Sequence, residues 1–443
     1  MRFAYQILFA IFFCLSAPYY FLKMWRRGNW QAGFAQRFGC YNEEFKNAVS
    51  KKPALWFHAV SVGEVNLCLQ LIRVLEPRLP DFQIIVSTTT STGMGELQKK
   101  LPTHIQKIFY PIDFFPIVRR ALKTIQPRAI ILVEAELWPN FLWQSIDRHI
   151  PLFLVNARVS EKSFRGYKRA RFLFGPIFAK FRAVGCQDET DAVRLRELGF
   201  APPSVRVVGN LKFDVAQSAA GRALDVRALL RQLGVRDDAR LLVAGSTHAG
   251  EEAILGEIFL RLRKKFPDLF FVLVPRHFER AKEVARALET CGVKFFLRSE
   301  MNSATQHSPG EVECLLVNTT GELKFFYEHA AVVFVGKSLT ARGGQNPIEP
   351  GALGKALVFG PNMQNFTSVT EAFLARKGAV RVRDSAGLET ALDALLSDDA
   401  RRNELGKNAA TVVRENQGAT ERTAQLLAQH LTAEAIAPSA RGL

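Results

Sequence analysis

Short apolar runs alternate with longer amphipathic stretches along most of the chain. The runs are rich in β-branched and aliphatic residues and predict strands, whereas stretches such as Val65–Leu75 and Glu279–Leu288 repeat apolar residues at helical spacing. This alternation indicates parallel sheets with helices on both faces. The predicted strands are Leu55–Val60, Gln83–Val86, Ala129–Val133, Leu152–Val155, Val205–Val208, Leu241–Ala244, Leu269–Val274, Glu313–Val317, Val332–Val335 and Ala356–Phe359.

A segment near the middle of the chain interrupts this rhythm. Residues Asp214–Arg227 are rich in Ala and Gly and carry little strand signal, so we interpret them as a link between two α/β domains of similar size. The expected organisation is an N-terminal domain over residues 24–215, a C-terminal domain over residues 225–431 and a flexible tail over residues 432–443.

The first residues form a different pattern. From Ala4 to Leu22 there is no charged residue, and a helix of this length spans about 28 Å, close to the thickness of a hydrocarbon core. Lys23, Arg26 and Arg27 follow directly, which places the rest of the chain in the cytoplasm by the positive-inside rule. We predict a single membrane anchor over residues 1–23. A cleaved signal peptide fits this length less well, and a helix that packs on the protein or lies in the interface stays open.

Charge and cysteine usage narrow the function classes. The chain has 59 Lys and Arg against 42 Asp and Glu, a formal net charge of +17, which favours nucleic acid, anionic lipid or a phosphorylated substrate as partner. Its six cysteines are scattered without a CxxC pair, which argues against a disulfide scaffold and a structural zinc site and favours a reducing compartment.

Polar residues follow three predicted strands of the N-terminal half, where parallel sheets bind their ligands. Glu64 would lie in the first turn of a helix, where an ionised carboxylate can act as a base, but with Ser61 it also matches a capping box. Glu134 could face a substrate hydroxyl or simply start a helix. Lys212 could hold an anion or be an ordinary surface lysine.

Loops of the C-terminal half indicate a nucleotide site. Small hydroxyl residues at Gly245-Ser246-Thr247-His248 and an arginine in Val274-Pro275-Arg276-His277 suit a phosphate. The segment Asn318-Thr319-Thr320-Gly321-Glu322 could contact a base or a sugar. In Gly343-Gly344-Gln345-Asn346-Pro347-Ile348-Glu349, we expect Asn346 as helix cap and Pro347 as first helical residue, with Glu349 either closing a capping box or binding ribose hydroxyls.

Further features bear on partners and on excluded classes. Residues 158–182 hold eight Lys and Arg interleaved with six aromatic residues, a composition that suits an anionic bilayer or a phosphorylated lipid better than nucleic acid, although a solvated helix face with core aromatics has the same composition. The chain lacks the GxxxxGK[ST], HExxH, GxSxG and GxGxxG motifs.

Taken together, the loops resemble those of the 3-deoxy-D-manno-octulosonic acid (Kdo) transferases of lipopolysaccharide assembly. The similarity runs in family order from the anchor to about residue 415. The matching segments are Phe57-His58-Ala59-Val60-Ser61-Val62-Gly63-Glu64, Glu134-Ala135-Glu136-Leu137-Trp138-Pro139-Asn140, Gly209-Asn210-Leu211-Lys212-Phe213-Asp214, Val274-Pro275-Arg276-His277, Thr320-Gly321-Glu322-Leu323 and Gly343-Gly344-Gln345-Asn346-Pro347-Ile348-Glu349-Pro350.

The resemblance implies a GT-B fold, with two Rossmann-like domains that face each other across a cleft. It implies an inverting glycosyltransferase at the inner membrane that moves Kdo from CMP-Kdo to a lipid A precursor (lipid IVA) and needs no metal and no cofactor. Glu64 matches the family's general base, and Glu134 and Lys212 match residues that support the transition state. The positions that match the CMP-binding motifs are Pro275, Arg276, Thr319, Thr320, Gly321, Asn346, Pro347, Ile348 and Glu349.

The sequence departs from the family pattern at Ala135, where Thr is common, and at Gln345, where His is common, which puts fine specificity in doubt. Two other readings stay open at this point. One is a different GT-B enzyme, such as an N-acetylglucosaminyltransferase or a nucleotide-sugar epimerase. The other is a membrane-tethered binding module without catalysis, which would leave the polar strand-end loops unexplained.

Overall fold

A computed structural model describes residues 2–26, 31, 33–134, 137–217 and 224–431. The chain forms two compact units. The first contains the residues up to Val215 together with those from Gln417 onward, and the second runs from Ala216 to Asn416. Each unit is a parallel sheet with helices on its faces, which confirms the predicted α/β class.

The sheet of the first unit has seven parallel strands in the order β3-β2-β1-β4-β5-β6-β7. Their side chains are mostly buried on both faces, as expected for a sheet covered by helices. The chain adds strands outward from β1 to β3 and then continues on the other side of β1, from β4 to β7. The gap between β1 and β4 is therefore the topological switch point. The strands are β1 Ala54–His58, β2 Gln83–Thr88, β3 Gln106–Phe109, β4 Pro127–Val133, β5 Leu152–Ala157, β6 Phe181–Cys186 and β7 Val205–Val207.

Nine α-helices are found among the described residues that precede the second unit. Two apolar cores, one on each face of the sheet, hold the sheet and most of these helices together. The helices are α1 Arg2–Arg26, α2 Glu43–Val49, α3 Val62–Leu75, α4 Ser91–Lys100, α5 Phe115–Ile125, α6 Pro139–Asp147, α7 Glu161–Arg169, α8 Arg171–Phe178 and α9 Glu189–Leu198.

The second unit repeats the architecture with the strand order β10-β11-β9-β8-β12-β13-β14, again all parallel. Its switch point lies between β8 and β12. The strands are β8 Arg240–Thr247, β9 Leu269–Pro275, β10 Phe295–Leu297, β11 Cys314–Leu316, β12 Val332–Val335, β13 Ala356–Phe359 and β14 Val380–Arg381. The helices are α10 Val226–Gln232, α11 Glu251–Lys265, α12 Ala281–Cys291, α13 Leu323–His329, α14 Ile348–Ala352, α15 Thr367–Ala375, α16 Ser385–Ser397 and α17 Asp399–Asn416.

The last described helix, α18 (Ala419–Leu431), belongs to the first unit, whereas the sequence placed it in the C-terminal domain over residues 225–431. The Asp214 carboxylate accepts hydrogen bonds from the backbone N–H groups of Gly418 and Thr420, both at 2.7 Å, and so caps the start of α18. Ala419 and Leu427 are buried in a core of the first unit. These bonds link residues some two hundred positions apart, so local sequence patterns could not reveal them.

The apolar N-terminal helix α1 is the one described helix that is long and apolar enough to cross a membrane, by length and composition alone. One side of it contacts the first unit near both of its ends. Arg2 pairs with Asp147 at 2.6 Å and the Tyr5 hydroxyl donates to Asp113 at 2.8 Å, while the Phe21 ring lies 6.3 Å from that of Phe34. Several large apolar side chains of α1 are exposed, among them Phe3, Leu8, Ile11 and Leu15.

The basic, aromatic stretch of residues 158–182 forms α7, α8 and the start of β6. Phe178 and Phe181 are buried, and Phe164, Tyr167 and Phe174 pack against the same core. Phe172 is the aromatic residue of the stretch that is largely exposed, at 67%. Most of its aromatics therefore stabilise the fold, which is the alternative interpretation stated above, and its lysines and arginines line the surface.

Candidate active site

The carboxyl ends of β1 and β4 flank the switch point of the first unit, and each is followed by an acidic residue. Ser61 caps α3, and its hydroxyl both accepts from the Glu64 N–H and donates to the Glu64 carboxylate at 2.9 Å. The second carboxylate oxygen of Glu64 accepts from the Val60 N–H at 2.8 Å. The capping box is therefore formed. It also holds a half-buried carboxylate at the positive end of a helix, which favours its ionised form.

Glu134 follows β4 with a left-handed backbone (φ 63°), a conformation that costs a non-glycine residue about 1–3 kcal/mol and is often found at functional sites. Its carboxylate accepts from the Lys212 ammonium and from the Asn156 side-chain amide, each at 3.3 Å. The Glu134 and Lys212 side chains are 26% and 22% exposed, so a ligand can reach both. The structure thus brings together two residues that the sequence predicted separately.

A chain of buried amides positions Lys212. The Asn210 side chain accepts from the Lys212 N–H at 3.0 Å and donates to Gln187 at 2.9 Å. Gln187 donates to the Asn156 carbonyl, and the Asn156 side chain accepts from the Leu211 N–H. Asn156 also has a left-handed backbone (φ 52°). Sequence reasoning missed Asn156 and Gln187, because neither lies in a motif and their partners come from other strand ends.

The neighbouring Ala135 and Glu136 lie outside the described residues. Trp138 and Pro139 follow, and Pro139 is the first residue of α6, a position that suits proline because its missing N–H has no helical partner.

In the second unit, the carboxylates of two glutamates at the start of α11 are buried and bonded within the protein. The Glu251 carboxylate is 0% exposed and accepts four backbone N–H groups, from His248, Lys337, Ser338 and Leu339. It therefore ties the loop after β8 to the loop after β12 at the switch point. Glu252 is similarly buried and pairs with Arg280 at 2.8 Å. Neither can act on a ligand without breaking these bonds.

The predicted donor-binding residues surround this point. Pro275 is buried at the end of β9, and Arg276, directly after it, is exposed and donates its N–H to the Thr247 carbonyl. Burial raises the pKa of Glu349, whereas the hydrogen bond from Asn346 and the charges of Lys324 and Arg276 lower it. A carboxylate near two cations can accept from hydroxyls while the cations bind a phosphate.

The Asn346 side-chain oxygen accepts from the Ile348 N–H at 2.9 Å, but this bond closes a turn before the helix, whose N-cap is Pro347, so the predicted cap at Asn346 is wrong. The helix, α14, begins at Ile348, one residue later than predicted, and Pro347 precedes it. Ile348 is buried and fixes the loop to the core.

The loop after β11 holds the other predicted residues. The Thr319 hydroxyl donates to Glu322 at 2.6 Å, and Glu322 pairs with Arg298 at 3.0 Å. Thr320 and Gly321 are exposed beside them. Gly321 has a φ of 84°, which explains why a glycine stands there.

Similarity to known proteins identifies the family of the chain. The family model of the 3-deoxy-D-manno-octulosonic-acid transferases (kdotransferases) matches residues 32–215. The 3-deoxy-D-manno-octulosonic acid transferase of Haemophilus influenzae is 32% identical over 90% of this chain and 91% of its own length. That of Bordetella pertussis is 33% identical over 93% of this chain and 96% of its own.

The chain belongs to the Kdo transferase family. This family membership confirms the resemblance and shows a glycosyltransferase of lipopolysaccharide biosynthesis. Among solved structures, the UDP-GlcNAc 2-epimerase of Neisseria meningitidis has a TM-score of 0.57 with 14% identity, over 85% of this chain and all of the epimerase chain. At that identity the likeness shows the GT-B-like fold alone. Among the described residues, no group of three or more His, Cys, Asp or Glu side chains could hold a metal ion, and independence from metal stays a prediction for this Kdo transferase.

Proposed function

We propose that this Kdo transferase moves Kdo from CMP-Kdo to a phosphorylated lipid A precursor (lipid IVA) by a single displacement that inverts the anomeric carbon, without a metal. The observation that carries the proposal is the Glu64 carboxylate, held at a helix N-terminus beside the switch point and half-buried. The first unit would bind the acceptor and supply the base, and the second would bind the donor.

In this mechanism Glu64 takes the proton from an acceptor hydroxyl. The hydroxyl oxygen forms a bond to the anomeric carbon of Kdo as the bond from that carbon to the phosphate oxygen breaks, and CMP leaves with the electron pair. A base that two hydrogen bonds already hold in place loses little entropy on reaching the transition state. Lys212, oriented by Glu134, would stabilise the negative charge that develops on the leaving group.

The second unit offers the chemistry of a nucleotide site. Arg276 is the exposed cation for a phosphate, and Glu349 is the carboxylate for paired ribose hydroxyls, with Lys324 near it. Thr319, Thr320, Gly321 and the segment from Asn346 to Glu349 would shape the pocket for the cytidine. These assignments rest on the family motifs and on the charges of the strand-end loops.

The apolar helix α1 supports a membrane location. A helix of this length extends about 37 Å, so a helix that crossed the bilayer would carry Arg2 and Tyr5 to the far side. Both residues instead bond to the first unit, and at the other end the Phe21 ring contacts that of Phe34. We therefore expect α1 to lie in the interface of the inner membrane with its exposed apolar face in the lipid, on the cytoplasmic side, where the net positive charge favours anionic lipid.

The reaction is tested by incubating the full chain with CMP-Kdo and a tetraacylated, bisphosphorylated lipid A precursor. The mass of the lipid is then measured by mass spectrometry. We expect a mass increase of one or more Kdo residues, which also counts the additions. An unchanged lipid, with folded protein and intact donor, would contradict the proposal. Thermal protection by CMP but not by UDP is the matching binding test, and protection by UDP alone would favour another nucleotide sugar.

A further inference from the structure

A large cavity lies between α1 and the carboxyl edge of the first sheet. Its volume of about 890 Å³ falls within the range of ligand-sized sites, roughly 300–1,000 Å³. From the helix, Phe9, Phe13 and Ala17 line it, and from the sheet edge Ile112 and Trp138 do so. The lining is mostly apolar, and the catalytic mechanism above uses none of it.

The cavity is lined by two charged residues, Asp113 and Arg37, which differ in the partners that the fold gives them. The oxygens of Asp113 accept from the Tyr5 hydroxyl and from the N–H groups of Asn140 and Phe141, so this carboxylate is occupied by the fold. Arg37 donates to the Thr89 carbonyl at 2.9 Å and stands 4.1 Å from the centre of the Phe109 ring. Within the described part of the chain, no carboxylate forms an ion pair with Arg37. The cavity therefore combines an apolar interior with a guanidinium that suits an anionic head group.

Hydrogen bonds connect the lining of the cavity to the loop that holds Glu64. Thr89 lines it, and the hydroxyls of the flanking Thr88 and Thr90 both donate to the Val60 carbonyl, at 3.0 and 3.1 Å. The N–H of the same Val60 donates to the Glu64 carboxylate. A molecule whose head group meets Arg37 therefore lies against the loop that holds the proposed base.

The geometry points to a binding site for one acyl chain of the phosphorylated lipid acceptor, with Arg37 at its anionic head. This inference rests on the proposed function, because it takes the acceptor to be a lipid. It assigns α1 a second role, since the side of the helix that faces the protein forms a wall of the acceptor site while the opposite face contacts the membrane. The chain length of the acceptor, and not only its sugar, would then determine how well it is used.

The test is a pair of matched substitutions on α1. Ala17 lines the cavity and Ala4 is exposed on the same helix, so Ala17→Phe fills the site and Ala4→Phe adds the same volume outside it. In nanodiscs of zwitterionic phospholipid, we expect Ala17→Phe to raise KM for the acylated acceptor about 10-fold with kcat nearly unchanged, and Ala4→Phe to leave both near wild type. Equal KM values for the two variants would overturn the inference.

A second readout does not depend on turnover. An acceptor with a diazirine in one acyl chain is photolysed on the wild-type protein, and the labelled peptides are identified. We expect label on residues 110–113 of the sheet edge, and less of it in Ala17→Phe. Label confined to Phe3, Leu8 and Leu15 on the outer face would mean ordinary immersion in lipid and would also overturn the inference. Label at the sheet edge without any Kdo transfer would contradict the proposed reaction alone.

Discussion

Two glutamates occupy the same place in the two units, and the fold uses them differently. Glu64 lies in the first turn of the helix after β1, and Glu251 lies in the first turn of the helix after β8, each at the switch point of its sheet. Each carboxylate accepts a backbone N–H from the loop before its helix. Glu251 accepts three more from the loop after β12 and is fully buried, whereas Glu64 is half-exposed.

The difference shows why a capping interaction and a catalytic role are compatible. A carboxylate with two backbone or hydroxyl partners and open surface is oriented and still able to accept a proton. A buried carboxylate with four backbone partners stabilises its loops and has no lone pair left to accept a proton. The number of donors around the carboxylate therefore distinguishes the two roles where the sequence pattern does not.

The largest effect should come from Glu64→Gln. The amide oxygen can still accept from the Val60 N–H while the amide NH₂ donates to the Ser61 hydroxyl, but the amide cannot take a proton. We therefore expect turnover with CMP-Kdo and the lipid acceptor to fall about 10²–10⁴-fold. The free energy of unfolding should change by less than about 1 kcal/mol, since the cap is conserved in geometry. Steady-state kinetics and thermal unfolding of the same preparation measure both.

The control for this variant is Ser61→Ala, which removes the capping hydroxyl and keeps the carboxylate. It should lower stability by about 1 kcal/mol and retain most of the activity. If Glu64→Gln turns over at near the wild-type rate, Glu64 is only a cap and the proposed mechanism is wrong.

Glu251→Gln should have the opposite profile. One of the two carboxylate oxygens becomes an NH₂ group that faces backbone N–H donors, and each buried donor that is left unsatisfied costs about 1–3 kcal/mol. We expect the second unit to lose about 3 kcal/mol of unfolding free energy, measured by thermal or chemical denaturation. Glu257→Gln on the exposed side of the same helix is the matched control and should change stability little. Equal stabilities for the two variants would show that the four hydrogen bonds do not hold the loops.

Sequence reasoning succeeded for features that depend on residues close together in the chain. Buried parallel strands are nearly continuous apolar runs, so all ten predicted strands are found in the structure. The strands that the sequence missed are short or interrupted: β3 begins with two half-exposed polar residues, β6 contains the exposed Arg182, and β10 and β14 have three and two residues. Glu64, Glu134 and Lys212 could be found because strand ends mark the binding edge of such sheets.

Interactions between distant residues could not be predicted in this way. The amide chain through Asn156 and Gln187 and the docking of α18 on Asp214 depend on side chains that meet only after the sheet has formed. The Asp113 carboxylate, which receives Tyr5 of α1, belongs to the same class. A single sequence carries no periodic signal for such bonds, because each is made once and between elements far apart in the chain.

The smallest effect is expected from a buried base that precedes Glu64 in the first unit. His58, at the end of β1, is 1% exposed, and its ring stacks on Tyr110 with centroids 3.8 Å apart. Burial lowers the pKa of His58 to about 3, opposed by the hydrogen bond to the Ser87 carbonyl. The folded protein therefore keeps this imidazole neutral, whereas the unfolded chain binds a proton below about pH 6.5.

Because the unfolded state binds more protons, His58 destabilises the first unit as the pH falls from about 6.5 towards 3. Between pH 7.5 and pH 5.5 the loss should be about 1.4 kcal/mol, and His58→Gln should remove it. The difference between wild-type and variant unfolding free energies at the two pH values isolates this group from the other titrating residues. A difference that does not change with pH would mean that the pKa of His58 is the same in the folded and unfolded states, so that burial does not keep this imidazole neutral.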